Sequence, residues 1–195
     1  MSVIATKHLT KTTQGFQGIG VDMARPNKEV LEERQNFLQT ITDCADKPSK
    51  FSEVFLNHKL FPYNKKYVDC NDRFIVYRSG RQVGKTMSTA VKAIHFAFFA
   101  PLMLKTVNTD CTIVIAAPTQ NQATIMFGRI RDMIMRSDFL RGYVIRNTQT
   151  EMWVSFLDNT GSSKIVTRAT GETGVSLRGY SPHVIIADEC SFIKT

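Results

Sequence analysis

The stretch Tyr77-Arg78-Ser79-Gly80-Arg81-Gln82-Val83-Gly84-Lys85-Thr86 constrains this chain more than any other. A short apolar run, Phe74 to Tyr77, precedes it and reads as a strand. Met87 to Ile94 follows and reads as a helix. Strand, small-residue loop with Gly-Lys-Thr, then helix is the setting that a phosphate-binding P-loop requires. Backbone N–H groups of a tightly curled loop, with the first turn of the helix behind them, offer partial positive charge to a polyphosphate. Ser79, Gly80, Arg81, Gln82, Val83 and Gly84 would then wrap the phosphates of ATP. Lys85 would reach the β- and γ-phosphates, and the Thr86 hydroxyl would help hold Mg²⁺. The loop departs from G-x-x-x-x-G-K-[ST], because Ser79 stands where the first Gly belongs and Gly80 comes one position later. Ser takes φ > 0 less freely than Gly, so the start of the loop is expected to be shaped differently.

A second motif lies near the C-terminus. His183-Val184-Ile185-Ile186-Ala187-Asp188-Glu189 is an apolar run that ends in two carboxylates, the Walker B arrangement. A buried strand of this kind brings Asp188 to the C-terminal edge of a sheet, beside the phosphate loop. Asp188 is expected to hold the Mg²⁺ shell and Glu189 to polarise the attacking water. Consecutive strand residues face opposite sides, but a strand ending there can splay the two carboxylates within one site.

Between the two motifs the pattern alternates strand and helix. Cys111 to Ala117 is a β-branched apolar run stopped by Pro118, and reads as a buried parallel strand. Gln120 to Arg136 has Ala123, Met126, Phe127, Ile130 and Ile134 at helical spacing, with Arg129, Arg131 and Arg136 on another side. That basic side reads as either a DNA contact or a solvated face. Val144 to Arg146, Met152 to Phe156 and Lys164 to Arg168 read as short strands, separated by turns at Asn147-Thr148 and Asp158 to Gly161. Trp153 is expected to be a core anchor.

Upstream, residues 1–26 show no sustained period and read as a loosely ordered arm. Asn27 to Asp43 reads as a packing helix, with Asn27 as cap, Glu29, Glu32 and Glu33 in its first turns and Val30, Leu31, Phe37, Leu38 and Ile41 on its apolar side. Lys47-Pro48-Ser49 reads as a break. Leu60-Phe61-Pro62-Tyr63-Asn64 has two readings. One is an adenine-reading segment, in which Tyr63 and Asn64 contact the base and the Asn64 carboxamide both donates and accepts. The other is a structural Pro-Tyr turn.

Composition bounds the partners. The chain has 195 residues, 43% of them hydrophobic, enough for a core. A net charge of +8 with a pI near 9.5 favours a polyanionic partner, nucleic acid first. Cys44, Cys70, Cys111 and Cys190 lack metal-ligand spacing, which argues against a zinc site or a disulfide framework and for reduced thiols. The start lacks a signal-peptide core, and the most apolar segment, Ala93 to Leu104, is too short to span a bilayer and contains His95 and Pro101. A soluble, intracellular protein is expected.

With these residues in place, the chain resembles the N-terminal ATPase part of the large terminase subunit, the DNA-packaging motor of tailed bacteriophages and related archaeal viruses. The loop Ser79-Gly80-Arg81-Gln82-Val83-Gly84-Lys85-Thr86 carries the likeness, since Arg-Gln before x-Gly-Lys-Thr is more characteristic of terminases than of helicases. Ala116-Ala117-Pro118-Thr119 with Gln122-Ala123, and Gly174-Val175-Ser176-Leu177-Arg178-Gly179, resemble further family segments. The similarity runs from about Leu60 to the end. The resemblance implies an α/β P-loop NTPase of the ASCE type, with a mostly parallel central sheet flanked by helices. It gives Arg81 the role of the family's loop arginine, acting on the γ-phosphate, and Arg178 that of an arginine acting on a neighbouring subunit's ATP. Arg78 is read as a bystander. Double-stranded DNA, bound non-specifically, a portal protein, a small terminase subunit and a homo-oligomeric ring are the implied partners, and the host cytoplasm is the implied location.

The reading divides the chain into an arm and packing helix over 1–50 and an ATPase domain over 51–195. The sequence given stops six residues after Glu189, before the family's coupling strand and nuclease domain, so an incomplete sheet and no cleavage activity are expected. The alternatives are a superfamily 2-type helicase or translocase, and a nucleotide-binding fragment without turnover. Glu189 is followed by Cys190-Ser191 rather than x-His or x-Asp, which favours the terminase.

Overall fold

The computed structural model describes residues 28–80, 82–104, 110–170 and 181–189. The N-terminal arm, Arg81, the Leu177-Arg178-Gly179 segment and Cys190 lie outside the described residues. Six helices and five strands follow one another among those described: α1 Lys28–Asp46, α2 Pro48–Phe55, α3 Pro62–Val68, α4 Lys85–Leu104, β1 Asp110–Ala117, α5 Gln120–Arg136, α6 Asp138–Arg141, β2 Val144–Asn147, β3 Glu151–Ser155, β4 Ser162–Ala169 and β5 Val184–Ala187.

Pro48, read as a break, and Pro62, read as part of an adenine-reading segment or a Pro-Tyr turn, are both helix starts. Pro48 and Pro62 each occupy the first turn of a helix, α2 and α3. The N–H that proline lacks is unpaired there in any helix, and its fixed φ suits the first turn. The break at Lys47 is real, but it is one residue long, and Lys47 serves as the N-cap of α2.

The core is built on α4. Ala90, Val91, Ala93, Ile94, Ala97, Phe98 and Phe99 are all buried, so this helix is apolar on several sides. It packs against α2, α3 and α5 and against the sheet, where Ile113, Ile115, Met152, Val154 and Ile165 meet it in one cluster. Phe51 of α2 sits edge-on to Phe99 at 5.8 Å and to His95 at 5.5 Å. The His95 ring is fully buried, and its Nε2 donates to the Cys44 carbonyl at 2.9 Å. Burial disfavours the imidazolium and pushes its pKa down to about 4.

Lys92 is a further buried polar residue of α4, beside Ser88, Thr89 and His95. Its ammonium donates to the Val68 carbonyl at 2.9 Å and to the Cys70 carbonyl, closing the C-terminal end of α3, where helix carbonyls lack partners. Burial lowers its pKa. The expected packing helix forms as α1, but only Cys44 of it is buried. Val30 and Leu31 are 40% and 42% exposed, while Phe37 meets Phe139 edge-on at 5.8 Å.

The sheet order is β2-β3-β4-β1-β5. β1 pairs in parallel with β4, from Asp110↔Ser162 to Ala117↔Ala169, and with β5, from Ile113↔Val184 to Ala116↔Ala187. β3 is antiparallel to both β2 and β4. The expected α/β architecture with a largely parallel sheet is present, and β3 is the strand that departs from it. β1, flanked on both sides, is buried as its β-branched composition demands.

Three expectations are corrected. Among the described residues β5 is an edge strand rather than a buried one: Val184 and Ile186 pack on the core while Ile185 is 53% exposed. Phe74 to Tyr77 is not a strand; Phe74 and Val76 are 82% and 86% exposed and the segment pairs with no described strand. This segment and β5 both line one groove. Trp153 is half-buried rather than a core anchor, because Met152 and Val154 take the core face of β3. Its ring lies under the Lys164 ammonium, 5.2 Å from the centroid.

Candidate nucleotide site

The loop before α4 is shaped by two residues with positive φ, Gln82 at 60° and Gly84 at 80°. Position 84 requires glycine on two counts. The backbone is left-handed there, and a Cβ would come within 3.0 Å of Asn64 Nδ2. Gly84 then hands the chain to the helix, its carbonyl accepting from Ser88 N at 2.9 Å and from Ser88 Oγ at 2.9 Å. Lys85, the first residue of α4, and Thr86 are half-buried.

The loop is held from outside by α3. Asn64, 2% exposed, donates from Nδ2 to the Val83 carbonyl at 2.9 Å and accepts the Tyr77 hydroxyl at Oδ1. The Tyr77 ring stacks on Tyr67 with centroids 4.1 Å apart and planes 8° apart, and Tyr67 is bonded through its hydroxyl to Thr89 of α4 at 3.2 Å. Tyr63 points the other way: it is 52% exposed and stacks on Phe61 at 5.5 Å. The two residues read as an adenine contact thus face different sides of α3, one exposed and one engaged with the loop.

The carboxylates lie at the tip of β5. Asp188 N donates to the Ala116 carbonyl at 2.9 Å, which extends the pairing with β1 one residue beyond the strand. Glu189 leaves the sheet in a left-handed conformation, φ 53°, with its N–H on Asp188 Oδ1 at 3.0 Å. That turn is what separates the two side chains; Asp188 is half-buried and Glu189 exposed. Ser79, Lys85, Asp188 and Glu189 all line the groove between α4, the 72–79 segment and β5. Ser79 Oγ is buried in it with no hydrogen-bond partner among the described residues. An orphaned hydroxyl that lines the same groove as a lysine and two carboxylates is the set of groups that a phosphate with a divalent cation would use.

Gln122 belongs to this neighbourhood and was not read as a site residue. Its Nε2 donates to Glu189 Oε2. The signal was in the sequence: Thr119-x-x-Gln122 is a capping box, which fixes a side chain at the start of the helix that follows β1. Arg129 and Arg136 of α5 are exposed and Arg131 half-exposed. Arg131 lies 4.0 Å from Asp132.

Fold and groove together define an α/β protein that gathers a lysine at a helix start and two carboxylates at a strand tip in one cleft. The family model described as "Terminase large subunit, T4likevirus-type, N-terminal" matches residues 76–195, and the chain belongs to that family, within the N-terminal portion of large terminase subunits. Among solved structures the chain is similar to that described as "Crystal structure of the HK97 bacteriophage large terminase", with a TM-score of 0.55 at 22% identity. The similarity covers 74% of this chain and 31% of that one, so the chain spans about a third of that terminase. No curated protein matches it. No helix among the described residues is long and apolar enough to cross a membrane.

Proposed function

We propose that this chain is the ATPase segment of a viral DNA-packaging terminase, with the nucleotide in the groove between the start of α4 and the tip of β5. The observation that carries the reading is the shared lining of that groove by Ser79, Lys85, Asp188 and Glu189. Lys85 and the N–H groups of the loop hold the β- and γ-phosphates, and Ser79 Oγ has a free place for a phosphate oxygen. Asp188, which lines the groove, and Thr86, which follows Lys85 in α4 but is not among the lining residues, would hold Mg²⁺, which would supply neutralisation of charge on the phosphoryl group. Glu189 orients and deprotonates the attacking water. Arg81 and, from a neighbouring subunit, Arg178 neutralise transition-state charge. The loop from Ser79 to Gly84 and the two acidic residues after a strand are the parts of an ASCE-type P-loop NTPase.

Hydrolysis moves double-stranded DNA into a procapsid. The net charge of +8 and the exposed arginines of α5 support a phosphate-backbone contact, which reads no sequence and weakens with salt. A ring of copies working with a portal protein and a small terminase subunit, in the host cytoplasm, is the setting this family implies. The family match places the chain with terminases and leaves the helicase reading without a supporting observation.

Nucleotide affinity tests the site directly. A fluorescent ATP analogue with Mg²⁺ is expected to bind the wild-type protein and to bind Lys85→Ala at least about tenfold more weakly. Equal affinity for the two proteins would place the nucleotide elsewhere.

A further inference from the structure

We infer that Gln122 is a positioning residue for Glu189, holding the carboxylate at the tip of β5 from the N-terminus of α5. The inference rests on the reading of Glu189 as the residue that acts on water.

The sheet makes the two residues neighbours. β1 and β5 are paired as far as Ala116↔Ala187, the last residue of β5 and the last but one of β1, and Asp188 N still reaches the Ala116 carbonyl. β1 then runs through Pro118 into the cap of α5 at Thr119. The start of α5 and the end of β5 therefore face each other across one strand spacing. That start is itself tied to β4, through Gln120 Nε2 to Thr167 Oγ1 at 2.8 Å and Ala169 N to Gln120 Oε1 at 3.2 Å.

The two ends of the Gln122 carboxamide have separate tasks. Oε1 accepts from Thr119 N at 3.2 Å and from Thr119 Oγ1 at 2.9 Å, completing the capping box. Because the group is planar, fixing Oε1 also fixes the direction of Nε2, which donates to Glu189 Oε2. Glutamate completes a capping box as well as glutamine does, but it has no N–H to offer. Only the amide serves both the helix and the carboxylate. With Oε2 held, and the Glu189 backbone fixed by its own N–H on Asp188 Oδ1, the second carboxylate oxygen remains to take a proton from water.

The distinction between cap and positioning residue supplies the test. ATP turnover, ATP affinity and thermal unfolding are measured on the full-length wild-type protein and on Gln122→Glu, Gln122→Ala and Lys85→Ala. Gln122→Glu keeps the cap acceptor and removes the donor. It also sets a like charge against Glu189, and is expected to lower Tm less than Gln122→Ala does and to lower kcat by about tenfold or more, as misplacement of a reacting group does. Gln122→Ala is expected to lose as much kcat and more Tm. If Gln122→Glu turns over within about twofold of wild type while Lys85→Ala is dead, the glutamine is only a cap and the inference falls, with the site assignment intact. If Lys85→Ala retains wild-type turnover, the site assignment fails and the inference with it.

Discussion

Asn64 donates its side-chain amide to the Val83 carbonyl at 2.9 Å, a bond across nineteen positions that ties α3 to the loop preceding α4. Because Asn64 is buried, removing it leaves the Val83 carbonyl and the Tyr77 hydroxyl without their partner, which costs about 1–3 kcal/mol. Asn64→Ala is accordingly expected to lower the unfolding free energy by that amount in urea titration and to weaken ATP binding. Tyr77→Phe, which removes only the hydroxyl donor, should cost less. An Asn64→Ala protein with undiminished stability and ATP affinity would show that the loop holds its own shape.

Gly84 is the point where that loop has least freedom. At φ 80°, with Asn64 Nδ2 3.0 Å from where a Cβ would be, Gly84→Ala must strain the backbone and displace the amide. A loss of about 1–3 kcal/mol is expected, with a fall in ATP affinity. Chemical denaturation and nucleotide titration of the variant check both. Combined with Asn64→Ala, the loss should be less than the sum of the two single losses, since the clash partner is already gone.

His95 gives the fold an acid sensitivity. Its folded pKa, about 4, lies below the 6.5 of an unhindered histidine. The unfolded chain therefore binds the proton first as pH falls. Stability is full above pH 6.5 and is lost progressively down to about pH 4, a contribution of about 3 kcal/mol. His95→Phe keeps the stacking on Phe99 and removes the titration. Its urea midpoint should then change less between about pH 7.5 and about pH 4.5 than that of wild type. Parallel pH profiles for the two proteins would assign the acid sensitivity to other groups.

Periodicity made the helices and the central strand legible. The α5 stripe and the β-branched run of β1 appear where the residues place them, because both elements bury a continuous face. Edge and centre were not legible. Val184 to Ala187 reads as a buried strand by composition, yet position in the sheet order leaves Ile185 open. Phe74 to Tyr77 has strand composition but no described partner, since pairing is a property of two segments and only one is visible in a local window. Pro48 looked like an interruption because proline is barred from a helix interior, yet it suits the first turn of the next helix.

At the site, the motif residues were legible and their supports were not. Lys85, Asp188 and Glu189 follow from residue type and spacing, whereas Asn64 turns inward to the loop and Gln122 reaches a carboxylate far along the chain. Both supports depend on contacts between elements that no local pattern records. Tyr63 and Asn64, adjacent in sequence, part company because neighbouring helical positions face different sides.

DNA-stimulated ATP hydrolysis by the full-length protein, compared with that of Glu189→Gln, tests the central claim most directly. The substitution keeps the size of the side chain and removes the base. Turnover is expected to fall by about a hundredfold or more while ATP still binds. Wild-type turnover in Glu189→Gln, or hydrolysis by the native protein that DNA does not stimulate, would contradict the assignment of this groove as the motor's ATPase site.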